Sequence, residues 1–128
     1  MKLSVTSPFG IMFIFGAIGY PLLELLWRGR THWTMSIAGG LCTVLLLVVS
    51  RLPLPSPILW LLGALSITAV EFAVGCIINR WLSWDVWDYS QLPLNVCGQI
   101  SLPFSLIWFA LSIPGIAFCR TIDGILLK

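Results

Sequence analysis

Ionisable side chains are scarce in this chain, so the few that interrupt apolar runs mark where chemistry is available. Glu24 and Glu71 each lie within a long apolar stretch, and His32 follows the first of these stretches. Asp85 and Asp88 stand in the segment WLSWDVWDYSQLPLNVCGQI, residues 81–100, together with Tyr89, Asn95 and Gln99. Carboxylates and an imidazole can take up protons or hold a cation. In hydrocarbon such groups are costly and mark pathways, binding sites or paired networks. For Glu71 this leaves three states: a protonated acid, a carboxylate paired with a cation such as Arg28 or Arg80, or a carboxylate reached by water.

Other chemistry is poorly supported. The single histidine has no clear nucleophile beside it, and no residue is assigned a catalytic role. Cys42, Cys76, Cys97 and Cys119 form no CxxC pair and lie in segments away from His32. They read as small packing residues with free thiols, so no metal and no cofactor is expected.

The elements that position these residues follow from composition. Of 128 residues, 59% are hydrophobic and 9% charged, and the mean hydropathy is +1.00. That is too little charge to coat a soluble domain. The runs at about 9–27, 33–52, 58–82 and 100–119 each have a length suited to crossing a bilayer. They lack the period-two alternation of barrel strands. The expected fold is an all-α integral membrane protein, a single transmembrane domain over 1–128 with four spanning helices. Between helices 3 and 4, an amphipathic, Trp-rich connection at about 83–99 lies at the interface and is partly re-entrant. Arg28-Gly29-Arg30 ends the first span, and Pro53, Pro55 and Pro57 separate the second from the third. The first run continues to Trp27 without a small-x-small cleavage site, so it reads as a retained helix rather than a signal peptide.

Each span has one small-or-polar stripe. On the first are Gly16, Tyr20 and Glu24, with Arg28 a turn further and able to pair with Glu24. On the second are His32, Ser36, Gly39 or Gly40, and Thr43; on the third, Thr68, Glu71, Gly75 and Asn79; on the fourth, Ser101, Ser105, Trp108 and Ser112. Helix packing accounts for the Gly, Ser and Thr positions, with Gly16, Gly39, Gly40 and Gly75 as close-approach points. It does not account for Glu71.

Four spans put the first and third connections on one side. Glu24, His32, Glu71, Asn79, Asp85, Asp88, Asn95 and Gln99 then congregate in one leaflet, as a vestibule rather than a uniform pore. Trp81, Trp84 and Trp87 read as interface anchors. A short surface helix there would bring Asp85 and Asp88 near each other. Lys2, Arg51, Arg120 and Lys128 fall on the side opposite Arg28, Arg30 and Arg80, so the positive-inside rule places both termini in the cytoplasm.

The runs GYPLLELLWRGRTHWTMSIAGGLC and TAVEFAVGCIINRWLSWDVWDYSQLPLNVCGQISLPFSLIWF resemble the bacterial family called putative ABC-transporter type IV proteins, labelled ABC transporter permeases. The motifs are G-Y-x-x-x-E, T-H-W-[ST]-M with G-G, E-F-x-x-G-x-x-x-N, and W-D-Y-S followed by N-x-x-G-Q-I. On this chain they fall at Tyr20, Glu24, His32, Gly39, Gly40, Glu71, Gly75, Asn79, Trp87, Asp88, Tyr89, Asn95, Gly98 and Gln99, among others. The resemblance implies transport in a bacterial cytoplasmic membrane. It brings no assigned binding residues, and the chain has no G-x-x-x-x-G-K-[ST] loop.

The expected function is therefore a small permease- or channel-like subunit with a carboxylate-containing site for a proton, a cation or a small cationic solute. The binding candidates are Glu24, His32, Glu71, Asn79, Asp88, Tyr89, Asn95 and Gln99, supported by Tyr20, Arg28, Arg80 and Trp87. Expected partners are membrane lipids and further copies of the chain, as a dimer or larger homo-oligomer, or another membrane subunit. Scattered cations and a net charge of +2 exclude nucleic acid. Two alternatives remain: a noncatalytic scaffold docking through its Gly and Ser faces, and a membrane enzyme acting on lipid headgroups.

Overall fold

A computed structural model describes residues 7–126. Four helices follow one another: α1 (Ser7–Arg28), α2 (Trp33–Ser50), α3 (Ser56–Gly75) and α4 (Leu102–Leu126). All four are long and apolar enough to span a bilayer, and α3 does so together with the π-helical turn Cys76–Trp81 that extends it. The chain is an all-helical integral membrane protein, as its hydropathy predicts.

The ends of the helices have local causes. His32 caps α2, its ring Nδ1 accepting from the Thr34 backbone N–H. Gly29 reverses the chain after α1 in the left-handed region, at φ 72°. Pro57 occupies the first turn of α3, where its missing N–H costs nothing. The fourth helix runs to Leu126, past the expected end near Cys119. There Asp123 pairs with Arg51 at 2.8 and 2.9 Å, so the helix carries a charge that hydropathy alone would have left outside it.

The stripes face one another. Gly16 lies so close against Gly39 that a Cβ on either would strike the other's backbone, and Gly40 meets the Phe13 ring. The α3–α4 seam sets Gly63 against Ser112, bonds Thr68 Oγ1 to Ser105 Oγ at 3.1 Å, and brings Glu71 to Trp108. Such small-residue contacts let membrane helices gain dispersion energy where no hydrophobic force drives association. Leu47, Leu59 and Cys119 fill the middle of the bundle and are fully buried.

The connection 82–101 forms no helix. Ser83 and Asp85 take left-handed backbone angles, φ 58° and 50°, either side of Trp84, which breaks any surface helix that would have paired Asp85 with Asp88. Leu94 and Cys97 are also left-handed, so the segment is a series of tight turns. The three tryptophans divide accordingly. Trp81 and Trp84 are exposed, whereas Trp87 is buried and donates from its indole to the Gln99 carbonyl at 3.0 Å. Trp87 is a core residue of the connection rather than an interface anchor.

Candidate functional site

The first and third connections meet at one end of the bundle, and Asn79 organises that end. The π-helical turn carries Asn79, whose Oδ1 accepts from the Val86 backbone N–H at 2.7 Å and whose Nδ2 donates to Gln99 Oε1 at 2.8 Å. π-Helical turns often mark functional segments, because the extra residue re-aims the side chains that follow. Gly75 leaves room for the returning loop: a Cβ there would sit 2.9 Å from the Trp87 ring. Gln99 Nε2 donates to the Cys97 carbonyl. Asn79, Trp87 and Gln99 thus hold the connection against α3.

Glu24 and Glu71 have different partners. Glu24 accepts from Arg28 Nη1 at 2.8 Å and from Thr31 Oγ1 at 3.0 Å. The same Arg28 donates through Nη2 to the Val86 carbonyl at 2.6 Å, tying α1 to the connection. Glu71, 6% exposed, accepts from the Tyr89 hydroxyl at 2.9 Å and from the Trp108 indole at 3.2 Å. Both of its oxygens meet neutral donors, and among the described residues no cation pairs with it. Burial holds the Tyr89 phenol well above its ordinary range and the nearby Glu71 adds to this, so Tyr89 is the donor in that bond at neutral pH.

A cavity of about 310 Å³ opens between α1 and α4 in front of this pair. Tyr20, Glu24, Arg28, Tyr89, Phe104 and Trp108 line it, with Glu71 behind Tyr89 and Trp108. The rings are close: Tyr89 stacks on Phe104 with centroids 4.5 Å apart, Phe104 lies 6.1 Å from Trp108, and Trp108 lies 5.9 Å from Tyr20. The arrangement offers aromatic faces backed by a buried carboxyl group, which suits a cation.

The other candidates lie elsewhere. His32 lines a smaller pocket of about 200 Å³ with Arg28, Arg30 and Asp85, and packs against Trp33 and Trp84 at 5.5 and 5.9 Å. Asp88 is exposed and accepts from the Ser90 backbone N–H, which holds its carboxyl below the usual range. Asn95 closes the next turn through Ser90, Leu92 and Gly98. Arg80 points outward from the helix end. The four cysteines are free, and among the described residues no three metal-ligating side chains come together. Sequence reasoning left Phe104 and Trp108 out of the site. Trp108 stood in the fourth polar stripe, where its indole N–H was the available signal.

The family profile described as putative ABC-transporter type IV matches residues 33–126. The chain belongs to the putative ABC-transporter type IV family. Glu71, Asn79, Tyr89 and Trp108 of this family member fall inside the match, while Tyr20, Glu24, Arg28 and His32 precede it. No curated protein and no solved structure matches the chain. Family and fold together make it a small, transport-related integral membrane protein.

Proposed function

We propose that this protein is a membrane transport subunit that binds a cation in the α1–α4 cavity, over the rings of Tyr20, Tyr89, Phe104 and Trp108. The observation that carries the reading is Glu71: a buried carboxylate held by two neutral donors that also wall the cavity. Glu24 is neutralised by Arg28, so Glu71 in its ionised form is the charge that favours a cation, acting through the Tyr89 and Trp108 rings hydrogen-bonded to it. By the positive-inside rule the cavity opens on the side away from the cytoplasm. Because the polar residues occupy one end of the bundle, a complete pathway takes a second copy or another membrane subunit.

The scaffold reading is placed second, because Gly39 and Gly40 already pack against Gly16, Tyr20 and Phe13 of α1.

The test is equilibrium dialysis of tetramethylammonium against the protein in lipid nanodiscs. The isosteric Glu71→Gln keeps an acceptor for Tyr89 and removes the charge. An affinity about tenfold weaker is expected; equal affinity of the two proteins overturns the reading.

A further inference from the structure

The aromatic cavity does not end at Trp108. A second cavity of about 420 Å³ continues along the same seam and shares Tyr20, Leu23, Trp108 and Leu111 with the first. Apart from Thr43, its remaining wall is apolar, with Met12, Phe15 and Gly19 from α1 and Pro114, Gly115 and Phe118 from α4 among the lining residues. The seam is partly open along its length, because α1 and α4 form the sparsest of the helix pairings in the bundle. Phe15 and Phe118 meet edge-on at 4.9 Å on the lipid side, and both rings are substantially exposed.

Gly19 shows that this space is genuine. A Cβ on Gly16 would collide with the backbone of α2, whereas a Cβ on Gly19 would meet nothing within 4 Å, although Gly19 lines the second cavity. The two glycines lie one turn apart on α1; one is needed for contact and the other leaves a groove. At 1.5 Å per residue, the groove runs about 18 Å from Glu24 to Met12, the reach of a medium alkyl chain.

We infer that the substrate is a cationic amphiphile, whose charged head occupies the aromatic end before Glu71 and whose hydrocarbon tail lies along the α1–α4 groove, entering sideways from the bilayer. This rests on the cation-binding reading above and adds the tail. The charge complementarity is one-ended: among the described residues, the acidic side chains lining or backing the groove are Glu24, paired with Arg28, and Glu71, all at the head end. A neutral or anionic lipid would leave the Glu71 charge unanswered.

The experiment compares alkyltrimethylammonium ions of increasing chain length in the same nanodiscs, using wild type, Gly19→Leu and Glu71→Gln. In wild type the affinity is expected to rise with each methylene by up to about fourfold. Gly19→Leu fills the groove from open space, so it should bind tetramethylammonium as wild type does and lose the chain-length gain. Partition into the nanodisc lipid is common to all three proteins and cancels in the comparison. Wild-type and Gly19→Leu curves that rise in parallel overturn the tail assignment and leave the cation site standing. Failure of every ion to bind, or binding indifferent to Glu71→Gln, overturns both. If Gly19→Leu fails to fold, the smaller Gly19→Ala, whose Cβ meets nothing within 4 Å, narrows the groove and is read in the same way.

Discussion

Helix α1 makes two seams, and they are built in opposite ways. Against α2 it is packed to the limit: Gly16 and Gly39 bring the two backbones together, and Thr43 donates to the Met12 carbonyl across the same contact. Against α4 it leaves two connected cavities, bridged chiefly by aromatic edges. Small residues are therefore not a single signal in a membrane helix. Gly16 is small because something touches it, and Gly19 is small where nothing in the protein does.

That difference gives the largest expected effect. Gly16→Leu should force α1 off α2 and cost about 3 kcal/mol through overpacking of a rigid contact. Gly19→Leu should change stability by no more than about 1 kcal/mol. Thermal unfolding of both variants in detergent micelles measures the contrast. Equal losses would mean that the α1–α4 groove closes in the folded protein.

The connection 82–101 is the next place where the two seams can be told apart, because it is anchored to α3 and merely tethered to α1. Asn79→Ala removes an acceptor from the Val86 N–H and a donor from Gln99, leaving buried groups unpaired at a cost of about 2 kcal/mol. The loosened segment should become sensitive to protease between residues 82 and 101. Tyr89 reaches the cavity from this segment, so cation binding should weaken in parallel. Protease resistance like that of wild type would show that Arg28–Val86 and Tyr89–Glu71 suffice to hold the connection.

Much of this arrangement was legible in the sequence. Hydropathy located four spans, and the cost of polar groups in lipid pointed to Glu71 before any contact was known. The helical period also placed Trp108 on the stripe that meets α3. What stayed hidden depended on partners distant in sequence. Nothing local distinguishes Trp87, which bonds inward, from Trp81, which is exposed. The neutral donors on Glu71 come from residues 18 and 37 positions away, so the candidate partners Arg28 and Arg80 could not be decided by spacing. The tight turns at Ser83 and Asp85 were equally invisible, since neither residue type demands a left-handed backbone.

The two ends of the bundle supply the smallest contrast. Arg51 and Asp123 form a bidentate pair at the end opposite the cavity, with side chains 31% and 19% exposed, and Arg51 also covers the Phe9 ring at 4.7 Å. The hydrogen bond to Asp123 raises the Arg51 pKa above its ordinary value. A raised cation pKa stabilises the fold at every pH below the unfolded value and is lost only as pH rises through the folded one. The Arg51 side of the pair is therefore indifferent to pH in the neutral range. Salt is the useful variable, because mobile ions screen an exposed pair. Arg51→Ala should cost about 0.5 kcal/mol at low ionic strength and less as salt is added. Arg28→Ala, which breaks a less exposed pair and the bond to Val86, should cost more and retain its penalty in salt. Unfolding midpoints of the two variants across a salt series separate the cases, and a salt-sensitive Arg28 would place the cavity's polar rim in open water.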